Sequence, residues 1–353
     1  MEIINMLINQ ENQNVDIVFL NNFNEIEDII LNINFSKCLV VVDSNVYNFY
    51  KNLKFNFTYD QIIIESCEQN KSIEKYLEII QFMIEKEYDR SSLIIGIGGG
   101  VIGDLIGFVA STYKRGIKFI NIPTTLLAMV DSSIGGKTAV NFNYYKNQIG
   151  TFYQPDKILI YTQFLNSLSY SEIVSGFGEI IKYGYTLDKE ILKILDKNKF
   201  DIKSIIMNES LIYELIKRSI ICKKSIVEID VNEKGQREVL NFGHTLGHAF
   251  ESYYKYKYPH GINVLFGMII ELYISKMVFN FNQENIERLF AFLNYANIKF
   301  PNDYDEEQII KIIMNDKKVK YGKIRTTLLK DLGVYENGVE IDKDIILKAL
   351  KMI

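Results

Sequence analysis

Short runs of β-branched and aliphatic residues alternate with helix-spaced apolar patterns through the first half of the chain, and this alternation limits the fold more than any other feature. Residues 37–43 (KCLVVVD), 61–64, 92–97 and 118–123 read as strands. Between them, 72–87 places Ile73, Leu77, Ile80, Phe82 and Ile84 at helical spacing, and 101–112 reads as a second helix. Apolar strands alternating with helices predict a parallel sheet covered on both faces. After about residue 165 helical patterns take over, at 171–186, 202–228, 243–256, 261–279, 283–297, 305–315 and 342–352. The expectation is an α/β domain over 1–165 followed by a mainly α-helical domain over 166–353, with the boundary falling between 155 and 171. A chain of 353 residues is also long for one core.

The run Gly96-Ile97-Gly98-Gly99-Gly100-Val101-Ile102-Gly103-Asp104 leaves a strand and opens a helix. Glycines there let backbone N–H groups approach a phosphate, and a helix N-terminus favours the anion. Gly98, Gly100 and Gly103 satisfy G-x-G-x-x-G, but the next strand, at 118–122, supplies no acidic residue for a ribose. Asp43, at the end of an earlier strand, is the available carboxylate. Tight strand–helix packing accounts for a glycine run equally well when taken alone. Four glycines within 98–103 favour a nucleotide.

From 123 to 154 small, hydroxylated and charged residues sit between apolar neighbours: Thr124, Thr125, Asp131, Ser132, Ser133, Gly135-Gly136-Lys137-Thr138 and Lys146-Asn147-Gln148. Gly-Gly-Lys-Thr matches the end of a P-loop, yet Asp131 occupies the position of the required first glycine. Lys137 and Lys146 among hydroxyls and amides suit a phosphorylated, hydroxyl-rich ligand.

All three histidines of the chain, His244, His248 and His260, fall within one 17-residue window. His244 and His248 lie one helical turn apart on a common face, and histidine is the commonest neutral metal ligand. Glu179 lies in an apolar helical run, where a carboxylate is costly unless paired or bound to a metal. Lys182, three residues on, shares its helix face, so a buried Glu–Lys pair is one reading. A metal held by Glu179 and two histidines is the other, with open positions as in catalytic zinc sites. Spacing leaves open whether His244 pairs with His248 or one of them with His260.

The net charge of −4 carries no basic stripe, so nucleic acid is not an expected partner. No uninterrupted apolar run reaches the ~20 residues of a membrane span, and no secretory signal is evident. Cys38, Cys67 and Cys222 are few and scattered, which fits a reducing compartment. A cytoplasmic protein with no membrane partner is expected.

Taken in order, GGGVIGD, YKRG at 113–116, IPTTLLAMVDSSIGGKTAVN, KNQIGTFYQP, GFGEIIKYG, LNFGHTLGHAFE and DKK at 316–318 resemble the 3-dehydroquinate synthases, within the sugar-phosphate cyclase superfamily. The match runs from Asp43 to Lys318. The resemblance implies a Rossmann-like NAD-binding domain followed by a helical domain for metal and substrate. By motif it implies Glu179, His244 and His260 as ligands of Zn2+ or Co2+. NAD would be held by Asp43, Glu68, Lys71, Gly100, Val101, Ile102, Gly103, Asp104, Thr124, Thr125, Lys137, Lys146, Phe164, Leu165, Asn166 and Ser167. The substrate pocket would take Asp131, Lys137, Asn147, Lys182, Lys223, Arg237, Asn241, His248 and Lys317. Arg115 would reach the neighbouring subunit's site in a homodimer. Cys67 stands where the family usually has glycine before the Glu of G-E-x-x-K. Lys71 keeps its spacing, so a local backbone change is expected rather than loss of NAD binding.

The implied reaction converts 3-deoxy-D-arabino-heptulosonate 7-phosphate to 3-dehydroquinate and phosphate, by transient oxidation at C5, elimination, re-reduction and intramolecular aldol closure. It belongs to the shikimate route to chorismate and the aromatic amino acids. Rival readings are a sister cyclase acting on sedoheptulose 7-phosphate, a metal-dependent polyol dehydrogenase, and a non-catalytic NAD-binding relative. Retention of Lys223, Arg237, Asn241 and His248 argues against the first. The full set of lysines argues against the second, and the complete set of expected ligands against the third.

Overall fold

The computed structural model describes the chain apart from residues 9–12, 52, 144, 234, 315–318 and 321–322, with 319–320 described by backbone alone. Two compact units emerge, Met1–Ser169 and Tyr170–Ile353.

In the first unit the strands are β1 (Glu2–Ile8), β2 (Gln13–Phe19), β3 (Cys38–Asp43), β4 (Asp60–Ile64), β5 (Leu93–Gly98) and β6 (Lys118–Pro123), a hairpin of β7 (Lys137–Phe142) and β8 (Tyr145–Phe152), and β9 (Lys157–Ile160). Helices α1 (Asn24–Leu31), α2 (Ser44–Phe49), α3 (Ile73–Glu85) and α4 (Gly100–Thr112) intervene. The main sheet has the order β1-β2-β9-β6-β5-β3-β4. Every pairing from β2 to β4 is parallel, and only β1 runs antiparallel to its neighbour. β3 and β5 are buried along their whole length, which is why both read as unbroken apolar runs. The α/β class and parallel sheet expected from sequence are present. β1 and β2 are not evident from sequence because β2 interleaves Gln, Asn and Asp with its apolar residues and β1 turns Ile3 and Leu7 outward, in an edge hairpin.

The chain steps from β3 to β4 on one side, and β5 returns on the other, so β3 and β5 flank a topological switch point. Ligands of open α/β sheets bind at the carboxyl ends of strands at such a point. Val42 pairs with Ile97, and Gly98 with Pro123. Asp43, the glycine turn after β5 and the Thr124-Thr125 pair after β6 therefore share the C-terminal edge.

In the second unit come α5 (Tyr170–Thr186), α6 (Lys189–Lys197), α7 (Ile202–Met207), α8 (Glu209–Ile229), α9 (His244–Tyr253), α10 (His260–Phe279), α11 (Gln283–Tyr295) and α12 (Glu306–Met314). Strands β10 (Val319–Lys320), β11 (Lys323–Asp331) and β12 (Val334–Ile341) precede α13 (Lys343–Leu350). The single helix expected over 202–228 is broken at Asn208, whose backbone is extended and whose side chain accepts from Leu211 N (3.2 Å). That residue caps α8 instead of continuing α7. The antiparallel β10-β11-β12 sheet is an addition to the helical expectation. Its β11–β12 hairpin closes through Leu332 and Gly333, the latter at φ +72°, a conformation glycine adopts without steric cost. Helix α10 is long and apolar enough to cross a membrane, but most of it is buried within this unit.

Candidate active site and metal centre

Glu179 on α5, His244 at the start of α9 and His260 at the start of α10 converge, with one donor atom of each lying within 4.8 Å of the others. His244 Nε2 stands 3.3 Å, and His260 Nε2 3.7 Å, from the same Glu179 oxygen. The Glu179 side chain is fully buried, and neither of its oxygens takes a well-directed hydrogen bond. One carboxylate and two imidazoles suit zinc or cobalt and leave positions for water or substrate. Lys182, one turn along α5, forms a buried ion pair with the other Glu179 oxygen. Both sequence readings of Glu179, the lysine pair and the histidine cluster, thus coexist in the structure.

Glycines beside the three residues let the backbones that carry them come together. A Cβ on Gly261 would stand 1.8 Å from the Ser175 carbonyl oxygen, and one on Gly178 would stand 2.3 Å from that of Gly261. Helix α10 therefore starts in near-contact with α5, and Gly261 N donates to Ser175 Oγ (3.0 Å). Two carboxylates that the sequence reading passed over fix the rest. Glu271, wholly buried on α10, accepts from Gly243 N (2.5 Å) and from the Thr326 hydroxyl (2.9 Å), steadying the entry to α9. Glu251 on α9 places Oε2 3.4 Å from His260 Nδ1. A lone glutamate within the apolar run Met268-Ile269-Ile270-Glu271-Leu272 is a legible signal; Glu251 stands only as the last residue of the LNFGHTLGHAFE motif, with no partner indicated.

Burial by itself pushes the Glu179 carboxyl up, but the Lys182 ammonium and the His244 ring outweigh it and hold Glu179 well below the ordinary carboxylate range. Burial lowers His244 despite the adjacent Glu179, favouring the neutral ring that a metal requires. The same desolvation acts on His260, yet the carboxylates of Glu179 and Glu251 overcome it and lift His260 to about 9.

His248 is exposed, with its ring centroid 5.5 Å from that of His244 and 5.6 Å from that of His260. Lys223 on α8 and Arg237 are both buried, the latter donating through Nη1 to Val231 O (2.6 Å). Asn241 Nδ2 donates to Glu233 Oε1 (2.8 Å). Lys317 and Lys318 lie outside the described residues.

In the first unit, Gly99 precedes α4 without a side-chain cap, leaving the first-turn N–H groups to the sheet edge. A Cβ on Gly99 would stand 2.9 Å from Thr125 Cγ2. Thr124 Oγ1 is buried there with no hydrogen bond, an opening for a polar ligand group. Ile102 is part of the core, so only its backbone faces the turn. Asp43 caps α2 by accepting from Asn45 N (2.8 Å). Cys67 has ordinary extended backbone angles (φ −119°, ψ 154°), so no glycine is needed at that position.

Lys71 Nζ donates to Asp104 Oδ2 (2.5 Å) and Asn147 Oδ1 (2.6 Å), while Lys146 lies 3.7 Å from Glu68. Asn147, assigned by resemblance to the substrate, is thus tied to the group assigned to NAD. Asp131 lies within the helical turn Ala128–Ser132, and Lys137 opens β7. The lysine of a P-loop opens a helix, so that reading fails. Phe164 and Leu165 are buried, with Phe164 edge-on to Tyr50 and Tyr161. Asn166 donates to Gln163 Oε1 (2.9 Å) and Ser167 to Phe164 O (2.7 Å). Arg115 is exposed in a left-handed backbone (φ 68°) between Lys114 (φ 51°) and Gly116 (φ 118°).

The family model for the 3-dehydroquinate synthase N-terminal domain matches residues 61–175, and that for its C-terminal domain matches 176–319. The 3-dehydroquinate synthase of Clostridium tetani (strain Massachusetts / E88) is 39% identical over 324 residues, covering 90% of this chain and 85% of that protein. Among solved structures, 2-deoxy-scyllo-inosose synthase complexed with carbaglucose-6-phosphate, NAD+ and Co2+ is similar at TM-score 0.84 and 21% identity, covering 99% of this chain and 100% of that one. The 2-epi-5-epi-valiolone synthase ValA from Streptomyces hygroscopicus subsp. jinggangensis 5008, with NAD+ and Zn2+ bound, gives TM-score 0.87 at 21% identity, covering 96% of each chain. At that identity the two structures bear on the fold alone. The two family models run without a break from residue 61 to 319, and with the Clostridium tetani relative they establish that the chain belongs to the 3-dehydroquinate synthase family.

Proposed function

We propose that this chain converts 3-deoxy-D-arabino-heptulosonate 7-phosphate to 3-dehydroquinate and phosphate, using NAD and a divalent metal, zinc or cobalt. The observation that carries the reading is the convergence of Glu179, His244 and His260 beside Lys182, in a chain of this family. When bound, the metal supplies Lewis-acid polarisation of a substrate hydroxyl, and NAD supplies reversible hydride acceptance.

The chain's own groups do the rest. The Gly100–Asp104 segment, with Asp43, Glu68, Lys71, Thr124, Thr125, Lys137, Lys146 and the 164–167 turn, binds and orients the dinucleotide. Lys182, held against Glu179, and His248, exposed on α9, hold and move protons. Lys223 and Arg237 bind the substrate carboxylate, the arginine with a fork suited to two parallel hydrogen bonds, and Asn241 orients a hydroxyl. Asp131 binds substrate, and Lys137, Asn147 and Lys317 bind its phosphate. Arg115 serves the partner subunit of a homodimer, a use for which its exposed position is suited.

The test is phosphate release from the heptulosonate phosphate with catalytic NAD and added zinc, while NADH absorbance is followed. Phosphate and dehydroquinate without net NADH are expected. Stoichiometric NADH without phosphate would make the chain a dehydrogenase, and turnover of sedoheptulose 7-phosphate alone would make it a sister cyclase.

A further inference from the structure

Two overlapping sets of donor atoms share one histidine in the second unit. Glu179, His244 and His260 form the first, and His248, Glu251 and His260 form the second, each with its donor atoms within 4.8 Å of one another. They use opposite nitrogens of the same ring. His260 Nε2 faces Glu179 at 3.7 Å, while His260 Nδ1 faces Glu251 Oε2 at 3.4 Å. A neutral imidazole has one proton, so only the nitrogen without it offers a lone pair to a metal.

From this geometry we infer that Glu251 is a positioning residue for the metal: its carboxylate accepts the Nδ1 proton of His260 and so directs the Nε2 lone pair at Glu179 and His244. The inference rests on the metal reading above. Glu251 is itself well placed for the task. Its side chain is 9% exposed, so water competes little for the hydrogen bond. It sits on the helix that carries His244, one turn beyond His248, so a single rigid element sets both the first ligand and the proton acceptor of the second. Carboxylate–histidine–metal chains fix ring orientation and raise ligand basicity, and loss of the carboxylate typically weakens metal binding by about 10- to 100-fold. Sequence spacing does not link Glu251 to His260, because the two are nine positions apart on successive helices.

The experiment compares the wild-type chain with Glu251→Gln and Glu251→Ala. Zinc affinity is measured by competition with a chelator of known affinity, zinc stoichiometry by elemental analysis, and ligand geometry by the visible spectrum of the cobalt-loaded proteins. Wild type is expected to bind one zinc per chain. Glu251→Ala should bind it roughly 10- to 100-fold more weakly with an altered cobalt spectrum. Glu251→Gln keeps the shape and an accepting oxygen but not the charge, so it should fall between. If the alanine variant fails to fold, the near-isosteric glutamine variant decides. Zinc affinity within twofold of wild type in Glu251→Gln, with an unchanged cobalt spectrum, would overturn the role. Two zinc ions per wild-type chain would also overturn it, by making Glu251 a ligand. Failure of wild type to bind zinc at all would instead remove the metal reading beneath it.

Discussion

The two units build their polar centres in opposite ways. The second sinks whole charges into the core: Glu179, Lys182, Arg237 and Glu271 are each at most 1% exposed. The first keeps the Glu68–Lys146 pair nearer to water, at 46% and 31% exposed, buries Lys71 only against a partly exposed Asp104, and relies on bare backbone at the glycine turn. A charge buried without water is stabilised only by its partners, so those partners must be exact in place. Backbone amides need no partner side chain and only require that no Cβ intrude. The second unit is therefore expected to break at single charged side chains as well as at its closest-packed glycines, and the first at glycines or not at all.

The largest effect should come from His260→Ala. It removes one of the three proposed ligands, and retained zinc and turnover should fall together to background in elemental analysis and the phosphate-release assay. An active, metal-free variant would end the metal reading. Next is Lys182→Met, which strands Glu179 in the core and should destabilise the metal-free protein by about 3–5 kcal/mol. The matching change in the first unit, Lys146→Met, should cost no more than ~1 kcal/mol because its pair is half exposed. Urea unfolding of both variants compares them directly, and equal losses would erase the contrast. Gly261→Ala presses a methyl group against the Ser175 carbonyl and should cost about 1–3 kcal/mol or more. Gly235→Ala, with nothing within 4 Å of the new methyl, should change little.

The smallest effect is a pH dependence. His260 is raised to about 9 in the metal-free fold, above the ~6.5 of an unfolded histidine. Its contribution to stability is full below about pH 6.5 and is lost as pH rises through about 9. Melting of chelator-treated protein should therefore move down between those limits. Metal-loaded protein should lack this fall, since a ring coordinated through Nε2 stays neutral and cannot take up the second proton whose loss drives it.

Much of this is legible in the amino-acid sequence. The parallel sheet was legible because β3 and β5 are buried on both faces and so appear as continuous apolar runs. Glu179 and Lys182 were legible because a charge in an apolar helix needs a reason, and three residues of spacing supplied the partner. The choice among the histidines was not, since helix periodicity joins His244 to His248, whereas the crossing of α9 and α10 joins His244 to His260. Asn208 misled in a similar way: apolar spacing runs straight through it, and only its cap to Leu211 N reveals the break. The β11–β12 hairpin went unseen because its strands carry Lys, Arg, Glu and Asp on their outer side. Glu68, Lys71, Lys146 and Asn147 are each notable singly, but the contacts that unite them cross from the segment at 68–71 to the β7–β8 hairpin over more than 70 positions.

The tie from Thr326 to Glu271, and from Glu271 to the Gly243 amide, bears on how the chain is made. Chains emerge from the ribosome N-terminus first and begin to fold as they appear. His244 and His260 leave the exit tunnel well before Thr326, so for that interval the buried Glu271 carboxylate lacks the hydroxyl that later holds it. The entry to α9 then becomes rigid only when translation of the hairpin is nearly finished. Nascent chains stalled before Thr326 should accordingly be cut near Gly243 by protease, and the released full chain should resist.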